Sequence, residues 1–378
     1  MKSVVIKAYK ELSIEERLSW DNLVSVDEVG SLYSSIAWLD QLAFNESQDI
    51  KMVFVKENNE ILGGLLYYDL DRKTDSYYNP IHLLNGYNPF FNELNSTVSE
   101  QIKIPENSIV IGSKAATSCD ARFKSHLNSQ EKEEILHRCL HLLSNNYSEL
   151  FFLYVCEKNT FLRTYLNKIN YNEMAIGNRY YMKINYKDFN SYLQIFKSHL
   201  RSDIKRTYKK MVSNSYEIST SLLKDVYSIH SELCKLNANK YGFKEFDIEF
   251  FNTRSQSLMD SLNDRAIVKV LKKGKQIIGT ALYLHYKNVL YIDSAGIDYS
   301  IDNVREIGPY FHLVFYESVK YAIDNGIEYI NFGELLHDVK VGRGCDFEIA
   351  YLVLPNNYTF NDNKTIESLK NLKKLVIR

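Results

Sequence analysis

The sequence predicts an α+β fold of two tandem domains, each a mixed twisted sheet flanked by helices. Three observations carry that expectation. A β-hairpin pattern occurs twice, each copy is followed by a helix and an apolar strand, and the composition is that of a folded chain. Of 378 residues, 45% are apolar and 25% charged, which excludes wholesale disorder and a collagen-like fibre.

The first hairpin is "KMVFVKENNEILGGLLYYDL", from Lys51. Two alternating apolar runs flank Asn58-Asn59, a pair that tolerates the left-handed backbone of a tight turn. The second, "RAIVKVLKKGKQIIGTALYLHY" from Arg265, repeats the pattern around Lys273-Gly274. The second strands match closely, "ILGGLLY" at 61–67 against "IIGTALY" at 277–283. Their separation is too long for a solenoid repeat and suits a duplicated domain.

After the first hairpin come a long loop, a helix over about 130–146 and the apolar strand "ELFFLYV". After the second come the strand "VLYIDSAGI", a helix over about 309–325 and the strand "IEYINF". Pro309 suits the first turn of that helix, where its missing N–H would be unpaired anyway. Gly326 supplies the left-handed residue that ends it. The two domains are therefore expected at 1–186 and 187–378, with the seam near Tyr186.

Early in the second half lies "FKSHLRSDIKRTYKKM", where six cations face one Asp. Phe196, Leu200, Ile204 and Tyr208 form an apolar stripe at helical spacing. Lys197, Arg201, Lys205, Arg206, Lys209 and Lys210 then fall on the wet face, either as a solvated helix surface or as a cradle for a phosphate-bearing ligand. Globally, Lys+Arg 46 against Asp+Glu 47 leaves a net charge of -1, so overall charge selects no partner.

Five cysteines are scattered without a CxxC pair, as expected of reduced thiols, and no zinc spacing occurs. His137 and His141 stand one helical turn apart but lack a third ligand at a metal-site spacing, so no metal is expected. The first residues have no apolar signal core, and no run of about 18 apolar residues spans a membrane, so the expected location is cytoplasmic. Serine-hydrolase, P-loop, zincin and calcium-sensor motifs are missing from the sequence.

Candidate chemistry concentrates in the second half. Arg305 and Gly308 immediately precede a helix, whose unpaired N–H groups and partial positive charge suit a pyrophosphate. "NFGELLHDVKVGRGC", over 331–345, gathers Glu334, His337, Asp338, Lys340 and Arg343 among three glycines, just past an apolar strand. Glu334 or His337 would accept a proton from an attacking amine, and Lys340 with Arg343 would hold carboxylate or phosphate oxygens. Asp293 alternates with apolar neighbours in its strand and is read either as a cleft carboxylate or as a buried structural one.

The hairpin, strand, Arg-x-x-Gly loop, helix and following strand of the second half resemble the GNAT acyltransferase fold. That family's loop is Q/R-x-x-G-x-G/A. Here it reads Arg305-Glu306-Ile307-Gly308-Pro309-Tyr310, and Tyr310 departs from the pattern. Two tandem copies with the basic helix resemble the Fem-like branch, which includes peptidoglycan-bridge aminoacyltransferases. "GELLHDVKVGRG" is similar to that branch's G-x-x-x-x-HK-x-x-RG segment, with Asp338-Val339 interrupting the His-Lys pair. The resemblance covers nearly the whole chain in layout and 277–345 in motifs.

It implies an N-acyltransferase in which an amine of a small molecule or peptide-linked acceptor attacks the donor carbonyl directly. Acyl-CoA is the expected co-substrate, with aminoacyl-tRNA, held through the basic helix 197–210, as the alternative donor. A third alternative is a degenerate, non-catalytic binding module. Glu334, His337, Lys340 and Asp293 are the candidate catalytic residues. Arg305, Gly308, Tyr310 and Arg343 are the candidates for holding the donor. The first copy has no Arg-x-x-Gly before its helix and is expected to shape the acceptor side.

Overall fold

The computed structural model describes residues 2–24, 30–43, 50–70, 78–84, 104–242 and 246–356. It divides into two compact units, Met1–Arg179 with Phe347–Arg378, and Tyr180–Asp346. Each is a mixed sheet with flanking helices, the GNAT-like layout expected from the sequence. Part of the long loop expected after the first hairpin lies outside the described residues.

In the first unit, Ser3–Ala8, Ile50–Glu57 and Glu60–Asp69 run antiparallel. Asn58 and Asn59 both take left-handed backbone angles, φ 51 and 66, as the hairpin turn requires. Ser108–Ile111 extends the sheet and pairs in parallel with Glu149–Cys156. Helix Ser129–Asn146 packs its buried Ile135, Leu136, Cys139, Leu140 and Leu143 into the core with Val53, Leu65 and Phe152. Gly63 lets the helix approach: a Cβ there would lie 2.6 Å from the Arg122 carbonyl and 3.2 Å from Ile135.

The second unit repeats the plan. Tyr216–Leu222, Ala266–Lys273, Gln276–Tyr286 and Val289–Ile297 are antiparallel neighbours. Tyr329–Gly333 then lies parallel to the start of Val289–Ile297. Its long helix comprises Pro309–Phe311, a π-turn at His312–Tyr316 and Glu317–Asp324, and ends as expected at Gly326, φ 64. Buried Leu313, Phe315, Val319 and Ala322 anchor it, each larger side chain contributing about 1.5–3 kcal/mol. The π-turn has a visible cause. The buried Tyr283 hydroxyl donates to the Leu313 carbonyl and competes with the helix ladder.

Successive residues of Gln276–Tyr286 separate the two faces of this sheet. A Cβ on Gly279 would touch Leu313 at 3.1 Å, whereas the Thr280 hydroxyl meets His230 at 2.9 Å. One face therefore carries helix 309–324. The other carries Leu223–Lys240 and Ile248–Leu262, two helices that the sequence analysis did not assign.

The boundaries differ from the expected 1–186 and 187–378. The division falls at 179/180, and residues 347 onward return to the first unit. There the strand Asp346–Pro355 pairs antiparallel with Glu149–Cys156, Ala350 opposite Cys156 and Val353 opposite Phe152. Arg179 donates from Nε to Glu348 at 2.9 Å, and both side chains are buried. An unpaired ion at that depth is costly, so the pair secures the return of the chain.

Candidate functional site

The start of helix 309–324 is held by backbone bonds, the Gly308 carbonyl accepting from the N–H groups of Phe311 and His312. Gly308 adopts φ 60 and ψ 50, Pro309 occupies the first helical position, and no side chain caps the helix. A Cβ at Gly308 would meet only Phe311, at 3.6 Å, so backbone angle rather than crowding favours glycine here. Arg305 lies in the preceding turn, Val304–Ile307, with its guanidinium over the Tyr299 ring at 4.7 Å. Tyr310 packs edge-on against Phe311 and Phe315, and burial raises its hydroxyl pKa well above the ordinary value.

Arg343 comes from the polar segment yet reaches this helix. Its guanidinium lies over Phe311 at 4.3 Å, and Nε donates to the Tyr316 hydroxyl at 3.1 Å. The Tyr192 hydroxyl donates to the Arg343 carbonyl at 2.9 Å. The structure thus brings Gly308, Tyr310 and Arg343 to one helix start, with Arg305 on the turn before it.

The basic helix, Ser198–Ser213, stands beside the same turn: Lys210 Nζ donates to Glu306 at 2.8 Å. Ile204 and Met211 are its buried residues. Phe196, expected on the apolar stripe, is buried just before the helix begins. Lys205, Arg206 and Lys209 are exposed, and Arg206 pairs with Asp203 at 3.0 Å. At helical spacing Lys205 and Lys209, like Arg206 and Lys210, are one turn apart, so the four form one stripe.

The polar segment is partly helical, with His337–Val341 forming a short helix. Tyr180, from the strand Tyr171–Lys183, reaches it: its hydroxyl is 2.8 Å from His337 Nδ1, and its ring sits under Lys340 Nζ at 5.0 Å. Lys340 is buried and donates to the Phe332 carbonyl at 2.6 Å and to the Glu334 carbonyl. Burial pushes its pKa down to about 8, against the pull of Glu334. Lys340 therefore ties the two ends of the turn together. Leu335 and Leu336 between them are exposed and left-handed, φ 64 and 59, a conformation that branched side chains rarely hold. Glu334 and His337 are partly exposed, and Asp338 is exposed.

Asp293 lies on the other face of this sheet. It is paired through both oxygens with Arg254, at 2.8 and 2.6 Å. Burial alone would raise its pKa, but the charge and bonds of Arg254 hold it below the usual carboxylate value. Beside it, His230 contacts Thr280 and, at 3.1 Å, Ser294, and burial lowers its pKa to about 4. Sequence reasoning singled out neither His230 nor Arg254. The spacing of His230 and Cys234, one turn apart, was the available signal. His137 and His141 stack at 6.1 Å, and among the described residues no cluster of three or more His, Cys, Asp or Glu suits a metal.

Comparison with known proteins agrees with this layout. The model of the FemAB-like family, described as peptidoglycan biosynthesis/recognition, matches residues 119–346, more than half of the chain. A search of curated proteins finds no match. Among solved structures, FemX is similar at a TM-score of 0.61 and 12% identity, covering 94% of this chain and 98% of that one. The C-terminal domain of a putative lysylphosphatidylglycerol synthetase from Agrobacterium fabrum is similar at 0.56 and 10%, covering 95% and 96%. A protein of unknown function from Bacteroides thetaiotaomicron reaches 0.59 at 11%, covering 93% and 100%. At such identities the likeness to these structures is one of fold.

Fold and family together define an acyltransferase of the GNAT-fold, Fem-like class. Within that class, the chain belongs to the FemAB-like family.

Proposed function

We propose that this acyltransferase moves an aminoacyl group from an aminoacyl-tRNA to an amine of a peptide-linked, peptidoglycan-type acceptor. The observation that carries the reading is the stripe Lys205, Arg206, Lys209 and Lys210, which ends at Glu306 beside the Arg305–Gly308 turn. A long polyphosphate backbone uses a row of cations, whereas a single pyrophosphate needs only the turn. Family membership supports the acceptor class.

In this reading the acceptor amine, once neutral, attacks the ester carbonyl. A C–N bond forms, the C–O bond to the ribose breaks, and the amine proton ends on the departing hydroxyl. Glu334 or His337 carries that proton, with Tyr180 orienting the imidazole. Arg343, aligned by Tyr316, and Arg305 hold phosphate oxygens of the donor.

Acyl-CoA is the second reading, favoured by the helix start at Gly308, which no side chain caps. One experiment separates them. The purified chain is offered glycyl-, alanyl- and seryl-tRNA or acetyl-CoA, with a lysine-containing stem peptide as acceptor, at several salt concentrations. Aminoacyl-tRNA binding should weaken steeply with salt. The variant Lys205→Gln, Arg206→Gln, Lys209→Gln, Lys210→Gln should bind at least about tenfold more weakly and with a shallower slope. Transfer from acetyl-CoA, unchanged in the variant, would overturn the tRNA reading.

A further inference from the structure

Beside the Arg305–Gly308 turn, three tyrosines and two cations of the second unit converge. Helix Leu223–Lys240 ends in Lys240, where the partial negative charge of a helix end favours a cation. Its ammonium stands 4.9 Å over the ring of Tyr241 and 4.8 Å over that of Tyr299. Arg305 shares the second ring, its guanidinium 4.7 Å from the centroid. Tyr310 completes the group: burial first, and then its neighbours Tyr241 and Tyr299, raise its hydroxyl pKa.

The positive charge of this group is not balanced. Among the described residues, Lys240 and Arg305 reach aromatic rings and no carboxylate. Asp298, next to Tyr299, accepts instead from the Ser300 N–H and hydroxyl, at 2.9 and 2.6 Å, and Glu306, next to Arg305, accepts from Lys210. Both cations are exposed, Tyr299 is half-buried, and Tyr241 is 63% exposed, so the group offers its rings and charges to a partner.

That combination selects a flat ring that carries negative charge. Aromatic rings stack on one another, ammonium and guanidinium groups take phosphate oxygens, and a guanidinium on an aromatic face can do both. A nucleotide supplies the ring and the phosphate together, whereas an acidic peptide supplies charge without a base to stack. Position agrees with this chemistry. The turn joins the tyrosines, through Arg305, to the basic stripe, through Glu306 and Lys210.

We infer that Tyr241 and Tyr299, with Lys240 and Arg305, form a nucleotide platform, an unpaired nucleobase lying on the tyrosine rings and its phosphate on the two cations. The inference rests on the aminoacyl-tRNA reading only for the source of that nucleotide. Two sources share the chemistry: the single-stranded CCA end of an aminoacyl-tRNA and the adenosine part of coenzyme A. Stacking tolerates any base, so the platform holds its ligand without reading sequence.

The test is calorimetric titration of the full chain with two pairs of ligands. One pair is the phosphorylated trinucleotide CCA and the same trinucleotide with an abasic last residue. The other is coenzyme A and phosphopantetheine, which lacks the adenosine. In at least one pair the base-bearing member should bind at least about fivefold more tightly. Tyr241→Ala should abolish that preference while leaving the base-free member unchanged, and Tyr241→Phe should keep it. Lys240→Gln should weaken both members and flatten their salt dependence. Thermal unfolding is followed in parallel, and should Tyr241→Ala not fold, Lys240→Gln carries the test. A preference confined to the trinucleotides identifies the RNA end as the ligand, and one confined to coenzyme A identifies its adenosine. Equal binding within both pairs, a preference that survives Tyr241→Ala, or unchanged affinity in Lys240→Gln overturns the proposal. Base-insensitive binding with intact transfer from aminoacyl-tRNA refutes the platform alone, and base-dependent binding of coenzyme A without binding of RNA refutes the tRNA reading alone.

Discussion

The long helices of the two units begin in opposite ways. In the first, Asn128 accepts from the Glu131 N–H at 3.0 Å, and Glu131 accepts from the Asn128 N–H at 2.9 Å, so the chain closes its own helix start. In the second, Gly308 and Pro309 leave the start without a side-chain cap, and two arginines stand near it. A duplicated plan has kept the helix and changed its first turn. Where the chain satisfies its own N–H groups there is no seat for an anion. At Gly308 no side chain takes a first-turn N–H, and the Gly308 carbonyl accepts those of Phe311 and His312.

The largest expected effect tests that contrast directly. Arg343→Ala should slow transfer about a hundredfold, about 2.7 kcal/mol of lost transition-state stabilisation. Asn128→Ala should cost about 1 kcal/mol of stability with the turnover of the folded enzyme unchanged. Equal kinetic losses in the two variants would erase the distinction between the helix starts.

A second contrast concerns the glycines that face each helix. Gly63→Ala drives a methyl group against the Arg122 backbone carbonyl at 2.6 Å, which cannot give way. Gly279→Ala meets the tip of the Leu313 side chain at 3.1 Å, which can. Urea denaturation should show a loss of about 2 kcal/mol for the first and under about 1 kcal/mol for the second. The reverse order would mean that the helices press on their sheets differently from the distances seen here.

The smallest effect separates the units by acid. His230 and His312 of the second unit are buried, and burial lowers their pKa values from 6.5 to about 4 and about 3. The unfolded chain binds these protons first, so their contribution is present above pH 6.5 and is lost as pH falls toward 4. Between pH 7 and 6 the loss is under about 1 kcal/mol per histidine. His312→Phe should flatten its share of the pH dependence. A stability curve unchanged by that variant would show that His312 does not titrate as its burial implies.

Much of the fold was legible because it is written locally. Alternation on either side of Asn58-Asn59, Pro309 at a helix start and Gly326 past a helix end are each decided within a few residues. The seam was not legible. Phe347 to Val353 alternate like many edge strands, and nothing nearby shows that Ala350 pairs with Cys156 or Glu348 with Arg179. The candidate site was legible as residue types and illegible as an assembly. Gly308, Arg343, Glu334 and His337 stand out in the sequence, but Tyr180 and Tyr316, which orient His337 and Arg343, are two among 29 tyrosines without a local mark. Lys340 stood out as a charge, and only its burial and two carbonyl partners reveal it as a tie within the segment.

The strand Asp346–Pro355 also sets an order of manufacture. Its pairing partner, Glu149–Cys156, emerges from the ribosome long before it, and at about 5–20 residues per second the delay is roughly 10–40 s. The second unit needs nothing beyond Asp346 and is finished first. The half of the protein that is translated first is therefore the last to be completed, and through that interval the edge of Glu149–Cys156 waits unpaired, open to chaperones and to mispairing.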